Sequence, residues 1–221
     1  MAAPAIRIGA HRAMPRYTNT AKARGYAGGG SSEQNCAVCA AAGAVNLSRG
    51  RSVLNTGKVA DQLNTSDSKM GMGSSVDTQA ANIAQFVESQ TGRHSQITGS
   101  MDAGVAYAEA TARMQGYPDG TVFAVCVSGM LVGETTGRKC HWLNALKAGG
   151  NVRYFDFQSN RTFRTTTPTG GQNPATSTVP IIGVVSQLST GVTNSKMHSA
   201  DQPGAFATGT VDCVIVAFPK S

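Results

Sequence analysis

Three residue types in this sequence could together carry acyl-transfer chemistry: a thiol, an imidazole and a carboxylate. The thiols are Cys36, Cys39, Cys126, Cys140 and Cys213, and the relevant partners are His141 and Asp156. Cys36 opens an Ala-rich run that ends at Leu47. Such a run reads as a buried helix, with Ser31, Ser32 and Asn35 as candidate N-caps. A thiol at a helix start faces the positive end of the dipole and the open N–H groups of the first turn. Both favour a thiolate, and the N–H groups can hold an oxyanion. Cys36 stands closer to the cap and is the expected nucleophile. Cys39, one turn deeper, is the alternative.

His141 and Asp156 flank Lys147-Ala148-Gly149-Gly150-Asn151, which reads as a hairpin turn. If the turn centres between Ala148 and Gly149, His141 faces Asp156 directly. If it centres on Gly149-Gly150, His141 faces Gln158, and Asp156 is one pair away on the same face. Either register gives the imidazole a polar cross-strand neighbour, as a base with an orienting group requires. Phe155 and Phe157 then point the other way, into the core.

A metal is not expected. Cys36-x-x-Cys39 needs a second ligand pair, and the one candidate is Cys140-His141, whose adjacent side chains leave a strand on opposite faces. A redox dithiol at Cys36 and Cys39 is disfavoured because a Gly/Ser linker, not a strand, precedes it. Cys126 and Cys213 lie in apolar β-branched runs and read as buried small hydrophobes. The odd count leaves at least one thiol outside any disulfide.

Two segments resemble a known family. Asn35-Cys36-x-x-Cys39-Ala40-x-Ala42, followed by Leu47-x-x-Gly50-Arg51, is similar to the first motif of papain-fold toxin domains. These domains lie at the C-termini of bacterial polymorphic toxins and secreted effectors. His141-x-x-Asn144-Ala145, followed by Asn151-Val152-x-Tyr154-Phe155-Asp156-x-Gln158, is similar to the second motif. The resemblance implies a papain-like α+β fold without cofactor. It implies Cys36 as nucleophile, His141 as general base and Asp156 as orienting residue. It also implies deamidation of glutamine side chains in a target protein, or proteolysis. Under that mechanism Gln34 or Gln158 is expected to support the oxyanion. The resemblance further implies a cognate immunity protein as partner. Residues 64–75 and 168–221 have no counterpart in it.

The elements that must position these residues follow from periodicity. After the Cys36 helix, apolar residues at helical spacing predict a second helix over 77–91, and an Ala-rich stretch predicts a third over 101–115. Strands are expected over 121–127, 139–145, 152–157, 179–188 and 210–218. Helices first and an antiparallel sheet second make an α+β plan, with the nucleophile at the start of the first helix. Residues 1–32 read as a flexible Gly/Ala/Arg-rich leader, and 33–221 as one catalytic domain with an unassigned extension over 168–221.

Composition bounds the alternatives. The 221 residues carry a net charge of +7, and Arg7, Arg12, Arg16, Lys22 and Arg24 lie in the first 30 with no acid among them. The basic character therefore belongs to the leader, which argues against nucleic acid as a partner of the folded part. No run approaches the roughly 18 apolar residues of a membrane span, and the leader lacks the apolar core of a secretory signal peptide. Delivery into a recipient cell, with docking to a secretion apparatus or chaperone through 1–32 and action in the recipient cytoplasm, is the expectation. The competing classes are a cysteine protease, a peptidoglycan amidase effector and a non-enzymatic binding module.

Overall fold

The computed structural model describes residues 18, 35–63, 72–73, 75–129, 139–157, 161–164 and 212–220. Gln34, Gln158, the strand expected over 179–188 and the leader apart from Thr18 lie outside the described residues.

Helix α1 spans Cys36–Arg49, with Asn35 at the N-cap. Gly50 closes it in the left-handed region at φ 65°, where a residue without Cβ is favoured. Every residue from Ala37 to Leu47 is buried, which fits a helix apolar all round. The short α2, Thr56–Gln62, follows Asn55, whose Oδ1 accepts the Lys58 N–H at 2.9 Å. Helix α3 spans Val76–Thr91, and its spaced residues Val76, Ala80, Ile83, Ala84 and Val87 are all buried as expected. Ser75 caps it by accepting the Thr78 N–H.

The third expected helix is shorter than its Ala content suggested. Helix α4 covers Tyr107–Gln115 only. Ahead of it, Met101 N–H bonds the Asp77 carboxylate, and Ala103 N–H bonds the Ser100 hydroxyl. The first ties this segment to α3, and the second is a local bond that competes with helix formation. Gly104 then passes so close to the chain at Asp212 that a Cβ there would stand 2.6 Å from Asp212 Cβ.

The strands are β1 (Gln96–Thr98), β2 (Val105–Ala106), β3 (Val122–Gly129), β4 (Lys139–Ala148), β5 (Asn151–Asp156), β6 (Arg161–Arg164) and β7 (Asp212–Phe218). They form one antiparallel sheet in the order β1-β7-β3-β4-β5-β6, with β2 also on β7. The protein is thus a mixed α+β structure with helices packed on an antiparallel sheet. The elements are less segregated than expected, since β1 and β2 precede α4 and the last strand enters between β1 and β3.

Both faces of the sheet are cored. On one, α1 and α3 cover Ala124, Cys126, Trp142, Leu146, Phe155 and Phe157. On the other, Ala110 and Met114 of α4 pack with Val125, Val127, Leu143, Ala145 and Tyr154. The Tyr154 hydroxyl pairs with Thr111 of α4 at 2.8 Å. Strand alternation separates these sets, so each β4 residue belongs to one face or the other.

The β4–β5 turn settles the register. Gly149 and Gly150 have φ of 59° and 75°, as a type I′ turn requires. The Asp119 carboxylate accepts both of their N–H groups, at 2.7 and 3.2 Å. Asn144 pairs with Phe155 and Ala148 with Asn151. The direct His141–Asp156 pairing is therefore not adopted. The turn centres on Gly149-Gly150, the second of the two registers.

Candidate functional site

Cys36 is the first residue of α1 and is half-buried, whereas Cys39 is buried at 1% exposure. The first intrahelical bond runs from Cys39 N–H to Asn35 O at 2.9 Å. The N–H groups of Cys36, Ala37 and Val38 therefore have no acceptor within the helix, and the Asn35 side chain makes no cap hydrogen bond. Of the two candidate thiols, Cys36 is the one with access to solvent and to N–H groups that the helix leaves without an acceptor.

His141 is the third residue of β4, buried, and opposite Val127 of β3. Val127 and the next-but-one residue Leu143 both belong to the α4 side, so alternation places position 141 there too. Asp156 ends β5, pairs with Arg161 of β6, and by alternation with Tyr154 falls on the same side. The fold thus brings positions 141 and 156 to one face of the sheet. Cys36 packs on the other.

The side taken by α1 is set by two residues that the sequence reading did not single out for packing. Asn144, fully buried, donates from Nδ2 to Ala40 O of α1 at 3.0 Å and to Phe123 O at 3.1 Å. Gly43 allows the helix to come this close, because a Cβ there would lie 2.4 Å from Asn144 Oδ1. Trp142 adds a bond from Nε1 to Gln79 of α3 at 2.6 Å. Even-numbered positions of β4 therefore face α1, and His141 faces away.

Cys140, the residue before His141, falls on the α1 side with Cys126. Their strand partners are Ser128 and Trp142 respectively, so the two cysteines sit diagonally across the β3–β4 pair. Cys140 is exposed and Cys126 fully buried. A hydrogen bond from Cys126 pulls the Cys140 thiol down to about 7, partial desolvation against its strand neighbours opposes this, and the charge of His141 assists. Burial pushes Cys126 well above the usual thiol range, aided by its bond to Cys140 and by the nearby sulfurs of Cys140, Cys36 and Cys213. Burial, then Asp212, raises Cys213 to about 12. The Cys126–Cys140 diagonal could be read from sequence only with the β3–β4 register in hand.

A lowered thiol is increasingly ionised above its own midpoint. Alkylation of Cys140 by iodoacetamide is therefore expected to rise through about pH 7, where an ordinary thiol rises through about 8.5. Cys126→Ala removes the hydrogen-bond donor and should move that midpoint upward, read per cysteine by mass spectrometry. A Cys140 midpoint unchanged by the substitution would contradict the assigned cause.

Among the described residues, which include all five cysteines, there is no disulfide. No three His, Cys, Asp or Glu side chains among them are grouped to hold a metal ion. No helix among them is long and apolar enough to cross a membrane. In comparisons with family models, curated proteins and solved structures, nothing matches the chain.

Proposed function

We propose that this chain is a papain-like cysteine hydrolase that deamidates glutamine side chains of a target protein. The observation that carries the reading is the placement of Cys36 at the first position of α1, half-buried beside N–H groups with no acceptor in the helix. The Cys36 thiolate attacks the carboxamide carbon, and the first-turn N–H groups hold the oxyanion. Ammonia leaves with a proton from the general acid. Water then hydrolyses the thioester, leaving glutamate and the regenerated thiol.

The reading gives His141 the acid–base role and Asp156 the orienting role, as the resemblance does. Both positions lie on the face opposite Cys36. For His141 to serve Cys36 it must reach the α1 side near the start of β4, two residues from the last described β3–β4 pair, Gly129–Lys139. Moving a strand residue to the other face takes a local one-residue shift in register. A partner that neutralises the activity in the producing cell, and delivery of the protein into a recipient, belong to the same proposal.

The test incubates the full chain with proteins of a bacterial or eukaryotic cell lysate and maps Gln-to-Glu conversion by peptide mass spectrometry. Wild type is expected to convert specific glutamines, and Cys36→Ala to lower the rate at least about a thousandfold. His141→Ala is expected to do the same. Conversion that survives Cys36→Ala overturns the reading. New peptide termini in place of deamidation assign the thiol to proteolysis instead. Activity retained in His141→Ala alone removes His141 from the mechanism.

A further inference from the structure

The Cys126–Cys140 pair belongs to the register as it stands, with Cys140 on the α1 face, and not to the shifted one that would bring His141 to Cys36. It lies diagonally across two adjacent antiparallel strands, with both side chains on the α1 face and their thiols hydrogen-bonded. The two members differ in access. Cys140 is exposed near the start of β4, while Cys126 is fully buried in the middle of β3. A reagent in solution reaches Cys140 directly, whereas Cys126 presents no surface to it.

We propose that Cys126 and Cys140 form a reversible exchange site for low-molecular-weight disulfides, in which Cys140 takes the incoming sulfur and Cys126 resolves it. In the first step the Cys140 thiolate attacks one sulfur of the small disulfide. The S–S bond breaks and one small thiolate leaves, taking up a proton. In the second step the Cys126 sulfur attacks the Cys140 sulfur, the mixed S–S bond breaks, and the departing small thiolate takes up the proton that Cys126 gives up. Two protein thiols are oxidised to one disulfide, and one small disulfide is reduced to two thiols.

The geometry also makes the bond labile. Diagonal positions on an antiparallel pair have Cβ atoms somewhat less than about 7–8 Å apart, and a disulfide needs them at about 3.5–4.5 Å. The strands must draw together to close it. Cys140 lies next to Lys139, in the last described pair of the β3–β4 ladder, so it is this end of the two strands that must draw in. A bond formed under such strain is readily reduced, and excess small thiol should reopen it.

The experiment uses the full-length native protein and oxidised glutathione. After incubation and acid quench, free thiols are alkylated and the peptides mapped by mass spectrometry. The expected product is a peptide pair cross-linked through Cys126 and Cys140, with the loss of two titratable thiols and their return on adding reduced glutathione. Cys126→Ala is expected to stop at a stable glutathione adduct on Cys140. Cys140→Ser, a change at an exposed position, is expected to leave Cys126 unmodified over the same time, which keeps the test decisive if Cys126→Ala folds poorly. The proposal is overturned if wild type stops at the mixed disulfide with Cys126 still titratable after denaturation. A cross-link that joins Cys36 to either sulfur overturns it equally.

Discussion

Replacing Gly43 with valine is expected to lower the free energy of unfolding by about 4 kcal/mol, more than a typical single substitution costs. The first atom added already has nowhere to go. A Cβ at position 43 would stand 2.4 Å from Asn144 Oδ1 and 2.4 Å from Phe157 Cδ2. Neither neighbour yields readily. Asn144 is held by two hydrogen bonds and Phe157 stacks on Phe155 with ring centroids 6.0 Å apart. Forcing extra carbons into a packed core costs about 1–3 kcal/mol. Displacing Asn144 removes two hydrogen bonds, each worth about 1 kcal/mol. Alanine introduces the same clash but gains about 1 kcal/mol in helix propensity, so Gly43→Ala should cost about 2 kcal/mol. Urea unfolding with an unchanged m-value is the readout. In an Asn144→Ala background the cost of Gly43→Ala should shrink, a coupling that a double-mutant cycle measures. If Gly43→Ala stabilises the protein, α1 is not seated on β4 in this way.

The same contact explains what the sequence could and could not convey. Periodicity located α1, α3, β3 and β7, because each buries a regular set of side chains. It could not say which face of β4 the helix covers. Trp142 and Leu146 on one side are as apolar as Leu143 and Ala145 on the other, so alternation has no sign of its own. The sign is fixed by a glycine on one element and an asparagine on another, 101 positions apart in sequence. Read locally, Asn144 looked like part of a chemical motif, yet its amide spans the backbone of α1 and β3. The hairpin register was likewise open between two choices. The carboxylate that holds the Gly149-Gly150 turn is Asp119, about 30 residues earlier and silent in any local pattern. Strands β1, β2 and β6 have two to four residues each, too few to show alternation. They exist because β7 and β5 offer pairing. For the candidate site, the helix-start thiol was legible, while the placement of His141 relative to it depended on the face that α1 chose.

Asn46→Ala is expected to cost about 3 kcal/mol, although Asn46 is neither a candidate catalytic residue nor part of the apolar core. It is fully buried in the last turn of α1. Its Oδ1 accepts the N–H groups of Val53 and Leu54 at 2.8 and 2.9 Å. Its Nδ2 donates to Leu54 O at 2.8 Å and to the Thr18 hydroxyl at 3.0 Å. One side chain thus serves three backbone groups that the turn after Gly50 leaves without secondary-structure partners. It also fixes Thr18, a helical and buried residue from the segment that composition alone assigns to a leader. Alanine restores none of these bonds. A buried group left unpaired costs about 1–3 kcal/mol, and the half-buried Val53 N–H can turn partly to water, which keeps the sum near the lower end. Hydrogen exchange separates this cause from simple loss of packing. The amides of Val53 and Leu54 should lose protection beyond the global change, while those in the middle of α1 should follow global stability alone. If all protected amides fall equally, the asparagine contributes through packing, and the turn is held by the α1 C-cap bonds of Gly50 and Arg51 to Leu47 O and Asn46 O. A selective loss at 53 and 54 instead makes Asn46 the residue that turns the chain from α1 toward α2, and the anchor through which Thr18 is held against the folded domain.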